Sequence, residues 1–260
     1  MAFQPLLNIQ LLQMAIHWHD AEANCKQIER RLSDQPEADI IVLPEMFNSG
    51  FSMQPDKVAE TMDGYTISWM RKLASTKNSV VVGSVAIREQ GDCFNRMIWM
   101  QPNGEVQSYD KKHLFAMAGE NERYKAGNKR VVVKYKGWNI LLQVCYDLRF
   151  PVWSRQQQLD YDLMLLVANW PDARANAWNG LIPARAIENQ AYVAAVNRVG
   201  EDAKGLKYAG DSQIIDYLGI SLGNAKSEET VLNVKLDHNQ LSKSRLDLPF
   251  QQDADRMIIE

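Results

Sequence analysis

Residues 79–87 read SVVVGSVAI, apolar at odd and even positions alike and rich in β-branched side chains. A strand sends successive side chains to opposite faces, so a run apolar on both parities needs cover on both. Residues 39–44, DIIVLP, show the same buried-strand pattern, stopped by proline. Hairpin signals accompany these runs. Residues 94–100 and 105–109 flank Pro102-Asn103-Gly104, and 130–135 and 138–144 flank Lys136-Gly137. Strands are also predicted at 6–13, 162–168, 192–199, 212–217 and 230–236.

Helical spacing alternates with the early strands. Residues 21–33 place Cys25, Ile28 and Leu32 on one face, which turns Cys25 toward a core, and 68–76 group Trp69, Met70, Leu73 and Ala74. Residues 175–190 read as a helix carrying Pro183, expected to kink it or start a new segment. Strands covered on both faces together with antiparallel hairpins are satisfied by two mixed β-sheets packed together with helices outside. The predicted class is α/β, as a four-layer α-β-β-α sandwich; a three-layer α/β fold is the alternative on pattern alone. No linker divides the chain, so residues 1–260 are expected to form a single domain.

Composition excludes several functions. The net charge of −3 supplies no basic excess for a nucleic-acid partner. No run approaches the roughly 20 apolar residues of a membrane span, and no leader pattern is present, so a cytoplasmic protein is expected. Three cysteines, Cys25, Cys93 and Cys145, are too few and odd in number for a disulfide framework. The four histidines form no zinc spacing, and neither GxGxxG nor GxxxxGK[ST] occurs, so no metal or cofactor is expected.

Three polar residues stand where an apolar strand gives way to a loop: Glu45 in LPEMF, Lys111 in YDKKHLF and Cys145 in VCYDLRFP. Taken singly, each has an ordinary structural reading as a cap, a solvated charge or a buried thiol. Together they supply a nucleophile, a proton acceptor and a cation, a combination that attacks carbonyls. The thiol needs a base, which Glu45 supplies if burial raises its pKa, and Lys111 can stabilise an oxyanion while favouring the thiolate.

These residues sit in segments that resemble the nitrilase superfamily of carbon–nitrogen hydrolases. LPEMFNSGF is similar to that family's glutamate segment, YDKKHLF to its lysine segment and CYDLRFP to its nucleophile segment. VANWP, ARAIENQAYVAAVNRVG and GDSQIID also resemble family segments, so the resemblance spans essentially the whole chain. It implies the α-β-β-α sandwich, with Glu45 as general base, Lys111 as oxyanion cation and Cys145 as nucleophile. The family's second glutamate matches Glu120, with Glu122 as the alternative.

LPEMFxxGF and YDKxHLFxM look most like the omega-amidase branch. That likeness implies hydrolysis of the terminal amide of 2-oxoglutaramate or 2-oxosuccinamate through a cysteine thioester. Nitriles, carbamoyl amines, deaminated glutathione and a non-catalytic binding role are the competing readings; a Cys145–His113 protease would leave Glu45 and Lys111 without a task. Arg149 is the candidate for the substrate carboxylate, with pairing to Asp147 as its structural alternative. Phe115, Tyr146 and Trp170 are candidate pocket walls. His113 is expected to brace Lys111, and Arg185, Glu188 and Asn189 to form a structural network. Cys25 and Cys93 are bystanders. The resemblance further implies a homodimer, with residues 246–260 covering a neighbouring subunit.

Overall fold

The computed structural model describes residues 3–255. It contains fourteen strands: β1 Leu6–Gln13, β2 Ile40–Val42, β3 Val80–Glu89, β4 Asp92–Met100, β5 Val106–Asp110, β6 Val132–Tyr135, β7 Trp138–Val144, β8 Leu163–Val167, β9 Tyr192–Val196, β10 Val199–Glu201, β11 Lys207–Ala209, β12 Gln213–Ile215, β13 Ser221–Asn224 and β14 Thr230–Asp237. The helices are α1 Ala21–Leu32, α2 Pro55–Val58, α3 Tyr65–Lys77, α4 Pro151–Ser154, α5 Ala175–Asn189 and α6 His238–Asp247.

One sheet runs β14-β1-β2-β3-β4-β5 and the other β13-β12-β9-β8-β7-β6. Both follow one plan. Three central strands are parallel (β1, β2, β3 and β7, β8, β9), and antiparallel strands flank them on either side. Side-chain parity builds the layers. On β8, Leu163, Leu165 and Val167 enter the core between the sheets, while Met164 and Leu166 meet Trp178, Ile182 and Ala186 of α5. On the first sheet, Ile40, Val42, Val80 and Val82 face inward, while Ile41 and Val81 pack against Ile28 of α1 and Met70 of α3. The four layers are therefore those the apolar runs demand, and Cys25 lies in the outer core as its helical phase requires.

Two expectations are corrected, and one hairpin lies outside those the sequence signals marked. The strand predicted at 192–199 stops at Val196, because the Asn197 side chain takes over the bonding. Asn197 donates to the Trp170 and Gly210 carbonyls and accepts from the Trp170 and Arg198 amides. The chain then forms the separate β10–β11 ribbon. The second correction is at Pro183, where the chain does not restart. α5 continues through it, since Trp178, Ile182 and Ala186 bury on both sides of the proline and hold the two halves to the sheet. Finally, the long β3–β4 hairpin turns at Gln90-Gly91, both with positive φ, a pair that lacks the Asn-Gly or Asp-Gly signature. Of the C-terminal segment 246–260, residues 256–260 lie outside the described residues.

Leu165 is fully buried in the layer between the sheets, whereas Met117 is 75% exposed. Leu165→Ala is expected to lower unfolding free energy by about 2–5 kcal/mol in urea titrations, and Met117→Ala by under ~0.5 kcal/mol.

Candidate active site

The strand ends of both sheets converge on one place. β7 runs into Cys145, whose φ of +46° is in the left-handed region that a non-glycine residue seldom adopts. A tight turn, Cys145–Arg149, starts there. In the other sheet the chain leaves β2 through Leu43, whose amide still bonds Val82, and Pro44 then ends the pairing. Glu45 follows, and the next residue, Met46, has φ +42° and donates its amide to Ser84 Oγ (2.9 Å). The Cys145 side chain thus leaves from costly backbone, and that of Glu45 from the residue just before such a position.

Lys111 follows β5 and lies between two carboxylates, with all three side chains sealed from solvent. Its Nζ stands 2.9 Å from Glu45 Oε1 and 2.9 Å from Glu120 Oε2. Asn95 Nδ2 bridges the same carboxylates, at 2.8 Å from Glu45 and 3.1 Å from Glu120. Glu45 also accepts from the Asn169 amide (2.8 Å), and Asn169 Nδ2 donates to the Glu45 carbonyl, so the second sheet grips the glutamate. Glu120 accepts from the Phe115 amide as well (2.6 Å), whereas Glu122 is exposed.

The charge count determines the resting state. Two carboxylates face one ammonium. Burial alone would lower the Lys111 pKa, but Glu120 and Glu45 outweigh it and raise it, so the lysine stays charged. Burial raises the Glu120 pKa against the pull of Lys111. At Cys145, burial pushes the thiol well up, Glu45 pushes it further, and Lys111 only partly offsets them. Lys111 does favour the thiolate, as expected, but burial and Glu45 outweigh it. The Cys145 thiol donates to the Asn169 carbonyl (3.9 Å), on the same residue whose amide holds Glu45.

A second junction joins the Lys111 and Cys145 segments. The fully buried Asp147 carboxylate accepts from Val144 N (3.0 Å), Tyr109 OH (2.7 Å) and His113 N (3.0 Å), and pairs with His113 Nδ1 (2.8 Å). His113 stacks on Phe150 at 3.8 Å. It therefore braces the nucleophile turn as well as the lysine loop. Asp147 is satisfied without Arg149. From behind, Arg185 donates to the Leu148 carbonyl (2.7 Å) and pairs with Glu188, and Asn189 donates to the Arg185 carbonyl.

Above Cys145 opens a pocket of about 120 Å3. Phe115 and Tyr146 line it, with rings 5.0 Å apart, and the Arg149 guanidinium lies 5.0 Å over the Trp170 ring. Trp170 is wall and core at once, since its ring also packs on Trp178. Asn95, Asn169, Arg174 and Tyr208 were not singled out from the sequence, and Asp147 entered only as a partner for Arg149. Asn169 had a signal, lying two residues past an apolar strand inside VANWP; Asn95 sits within a strand and had none. A thiol, a carboxylate near it and a fixed ammonium beside that carboxylate are the equipment for acyl transfer from a carbonyl.

Fold and site together define a class, the α-β-β-α hydrolases with a thiol, two carboxylates and a lysine beneath one pocket. The carbon–nitrogen hydrolase profile matches residues 8–245, and the chain belongs to that family. It is 46% identical over 252 residues to omega-amidase YafV of Escherichia coli, covering 96% of this chain and 98% of that protein. It is 32% identical to the 2-oxoglutaramate amidase of Bacillus subtilis, covering 94% and 96%. A CN-hydrolase superfamily protein of Xanthomonas campestris, solved with an arsenic adduct in its active site, superposes with a TM-score of 0.96 at 43% identity, covering 99% of this chain and all of that one.

A thiol pKa held above its ordinary value means that the thiolate fraction keeps rising tenfold per pH unit past neutrality. Labelling of Cys145 by methyl methanethiosulfonate, followed by mass spectrometry, is expected to accelerate up to about pH 9 without a plateau. Glu45→Gln removes a charge that holds the proton on sulfur, so its labelling plateau should fall to lower pH. A wild-type plateau below about pH 8 would contradict this resting state.

Proposed function

We propose that this protein hydrolyses the terminal amide of a small 2-oxo acid amide, 2-oxoglutaramate or 2-oxosuccinamate, to the dicarboxylic 2-oxo acid and ammonia. The observation that carries the reading is the convergence of Cys145 and the Lys111–Glu45 pair (2.9 Å) at one pocket, which Arg149 also lines with its guanidinium over Trp170 and in no ion pair among the described residues. The similarity to omega-amidase YafV and to a 2-oxoglutaramate amidase supports the substrate class.

In this mechanism Cys145 Sγ attacks the amide carbon as its proton passes to Glu45. An ammonium has three donors, and Glu45 and Glu120 occupy two directions around Lys111, so one N–H remains for the oxyanion. The Tyr146 amide supplies a second donor. Glu45 gives its proton to the departing nitrogen, which leaves as ammonia, and the acyl group stays on sulfur as a thioester. Glu45 then takes a proton from water as the oxygen attacks the thioester, and returns it to the leaving sulfur. Glu120 holds Lys111 charged throughout and orients it. Arg149 receives the substrate carboxylate through its fork of N–H groups, while Phe115, Tyr146 and Trp170 wall the chain.

The shared core between the sheets supports one catalytic domain. Unpaired cysteines and a working thiol support a reducing, cytoplasmic setting, and among the described residues no helix is long and apolar enough to cross a membrane. Around the end of α5, Ile187, Leu218, Ile220, Leu246 and Leu248 are each at least half exposed. Leu248 is tied back to α5 through Gln190, and Ile187 packs on the turn at Gly219. An apolar surface of this kind supports a homodimer.

Ammonia release should be measured with 2-oxoglutaramate, 2-oxosuccinamate, glutamine, a simple nitrile and a carbamoyl amine. Turnover is expected on the two 2-oxo acid amides and is lost in Cys145→Ala. Cys145-dependent turnover confined to another substrate would keep the mechanism and reject the substrate. Light scattering is expected to give twice the 29.7 kDa chain mass, and Ile187→Glu with Leu246→Glu should shift it toward a monomer. A wild-type mass of one chain would reject the dimer.

A further inference from the structure

The other arginines that are half-buried or deeper among the described residues spend their guanidiniums on hydrogen-bond partners: Arg31, Arg96, Arg130, Arg185 and Arg245 bind carboxylates, and Arg155 and Arg198 bind backbone carbonyls. The pocket over Cys145 departs from this pattern twice. Arg149 and Arg174 both line it, both are half-buried, and neither makes an ion pair among the described residues. Aromatic faces hold them instead. The Arg149 guanidinium is 5.0 Å from the Trp170 ring centroid, and that of Arg174 is 5.0 Å from the Phe115 ring centroid. Stacking fixes a guanidinium plane while leaving its N–H edge free for a ligand. The Arg174 backbone is fixed separately, since its amide donates to Pro171 (3.0 Å) and its carbonyl accepts from Trp170 Nε1 (2.8 Å).

The anions of the same pocket are already committed. Asp202 is the one carboxylate among the residues that line it. Its Oδ1 accepts from the Lys204 and Leu206 amides and its Oδ2 from Tyr208 OH (3.0 Å). Lys204 adds a further cation to the lining. The pocket therefore offers unpaired positive charge and no free carboxylate.

We infer that Arg174 is a specificity-determining residue, a second cationic reader of the substrate's anionic end, and that with Arg149 it selects carboxylate-bearing amides that lack an amino group. The inference rests on the proposed function and deepens it. An amino acid amide such as glutamine and its 2-oxo counterpart share the terminal amide and the carboxylate. They differ in an ammonium against an oxo oxygen. Two unpaired guanidiniums repel the ammonium and donate to the oxo oxygen, and the 2-oxo acid presents oxygens on adjacent carbons to two forks. Discrimination thus comes from a repulsive element against one compound as well as an attractive one for the other.

The test compares wild type, Arg174→Gln and Arg174→Lys on 2-oxoglutaramate, glutaric monoamide (carboxylate, no oxo group), butanamide (neither) and glutamine. Circular dichroism checks that each variant is folded. In Arg174→Gln, kcat/KM on the two anionic amides is expected to fall at least ~10-fold further than on butanamide, mainly through KM. The preference for 2-oxoglutaramate over glutamine should narrow in parallel, and Arg174→Lys should recover part of both losses. Equal losses on anionic and neutral amides in both variants would mean a structural role and overturn the inference, as would no loss on the anionic ones. Wild-type turnover of glutaric monoamide without 2-oxoglutaramate would reject the proposed substrate, while the comparison with butanamide still judged Arg174. A wild type that cleaves no anionic amide at all would reject both.

Discussion

A lysine ammonium sealed from water between two carboxylates is the constraint around which this molecule is arranged. Lys111 alone at that depth would cost several kcal/mol, and either glutamate alone would do the same. Buried together they nearly cancel, with one negative charge left over. That surplus sets the state of the neighbouring sulfur, because a second anion beside Glu45 and Glu120 is unfavourable and Cys145 keeps its proton. The three charged groups come from the first sheet and its loops, and the thiol comes from the second. The site exists only where the sheets meet, and Asn169 and Asp147 are the bonds that keep the halves in register.

Backbone geometry supports the same arrangement. Met46 and Cys145 both hold positive φ, one beside the glutamate and one at the sulfur itself. Neither conformation would persist in an isolated loop. Ser84 holds the first from a neighbouring strand, while Asp147 and Arg185 hold the second from front and back. Strain at a reacting centre is kept by surroundings that over-determine it.

Much of this was legible in the sequence because it follows from rules of short range. Runs apolar on both parities required covered sheets, Pro102-Asn103-Gly104 and Lys136-Gly137 marked real hairpins, and the ends of apolar strands marked Glu45, Lys111 and Cys145. The parts that were not legible depend on contacts between distant segments. Asn95 lies inside an ordinary strand pattern, and only folding carries its amide to Glu45 and Glu120. The break at Asn197 needs Trp170 and Gly210 as partners, neither of which is near it in sequence. Charge balance is likewise a sum over the folded site: Lys111 beside Cys145 suggests a thiolate until both glutamates are counted. Pro183 shows the reverse: of the two outcomes the local rule allows, the restart is prevented by burial on either side of it.

The protonated state of Cys145 also has a consequence for endurance. Peroxides and other oxidants attack thiolates, and a low-pKa exposed cysteine is the form they damage first. A half-buried sulfur that stays a thiol is in the form least open to oxidation. Under the mechanism proposed above, reactivity would appear only when a carbonyl carbon arrives to receive the sulfur as Glu45 receives the proton, which would tie chemical vulnerability to the presence of substrate.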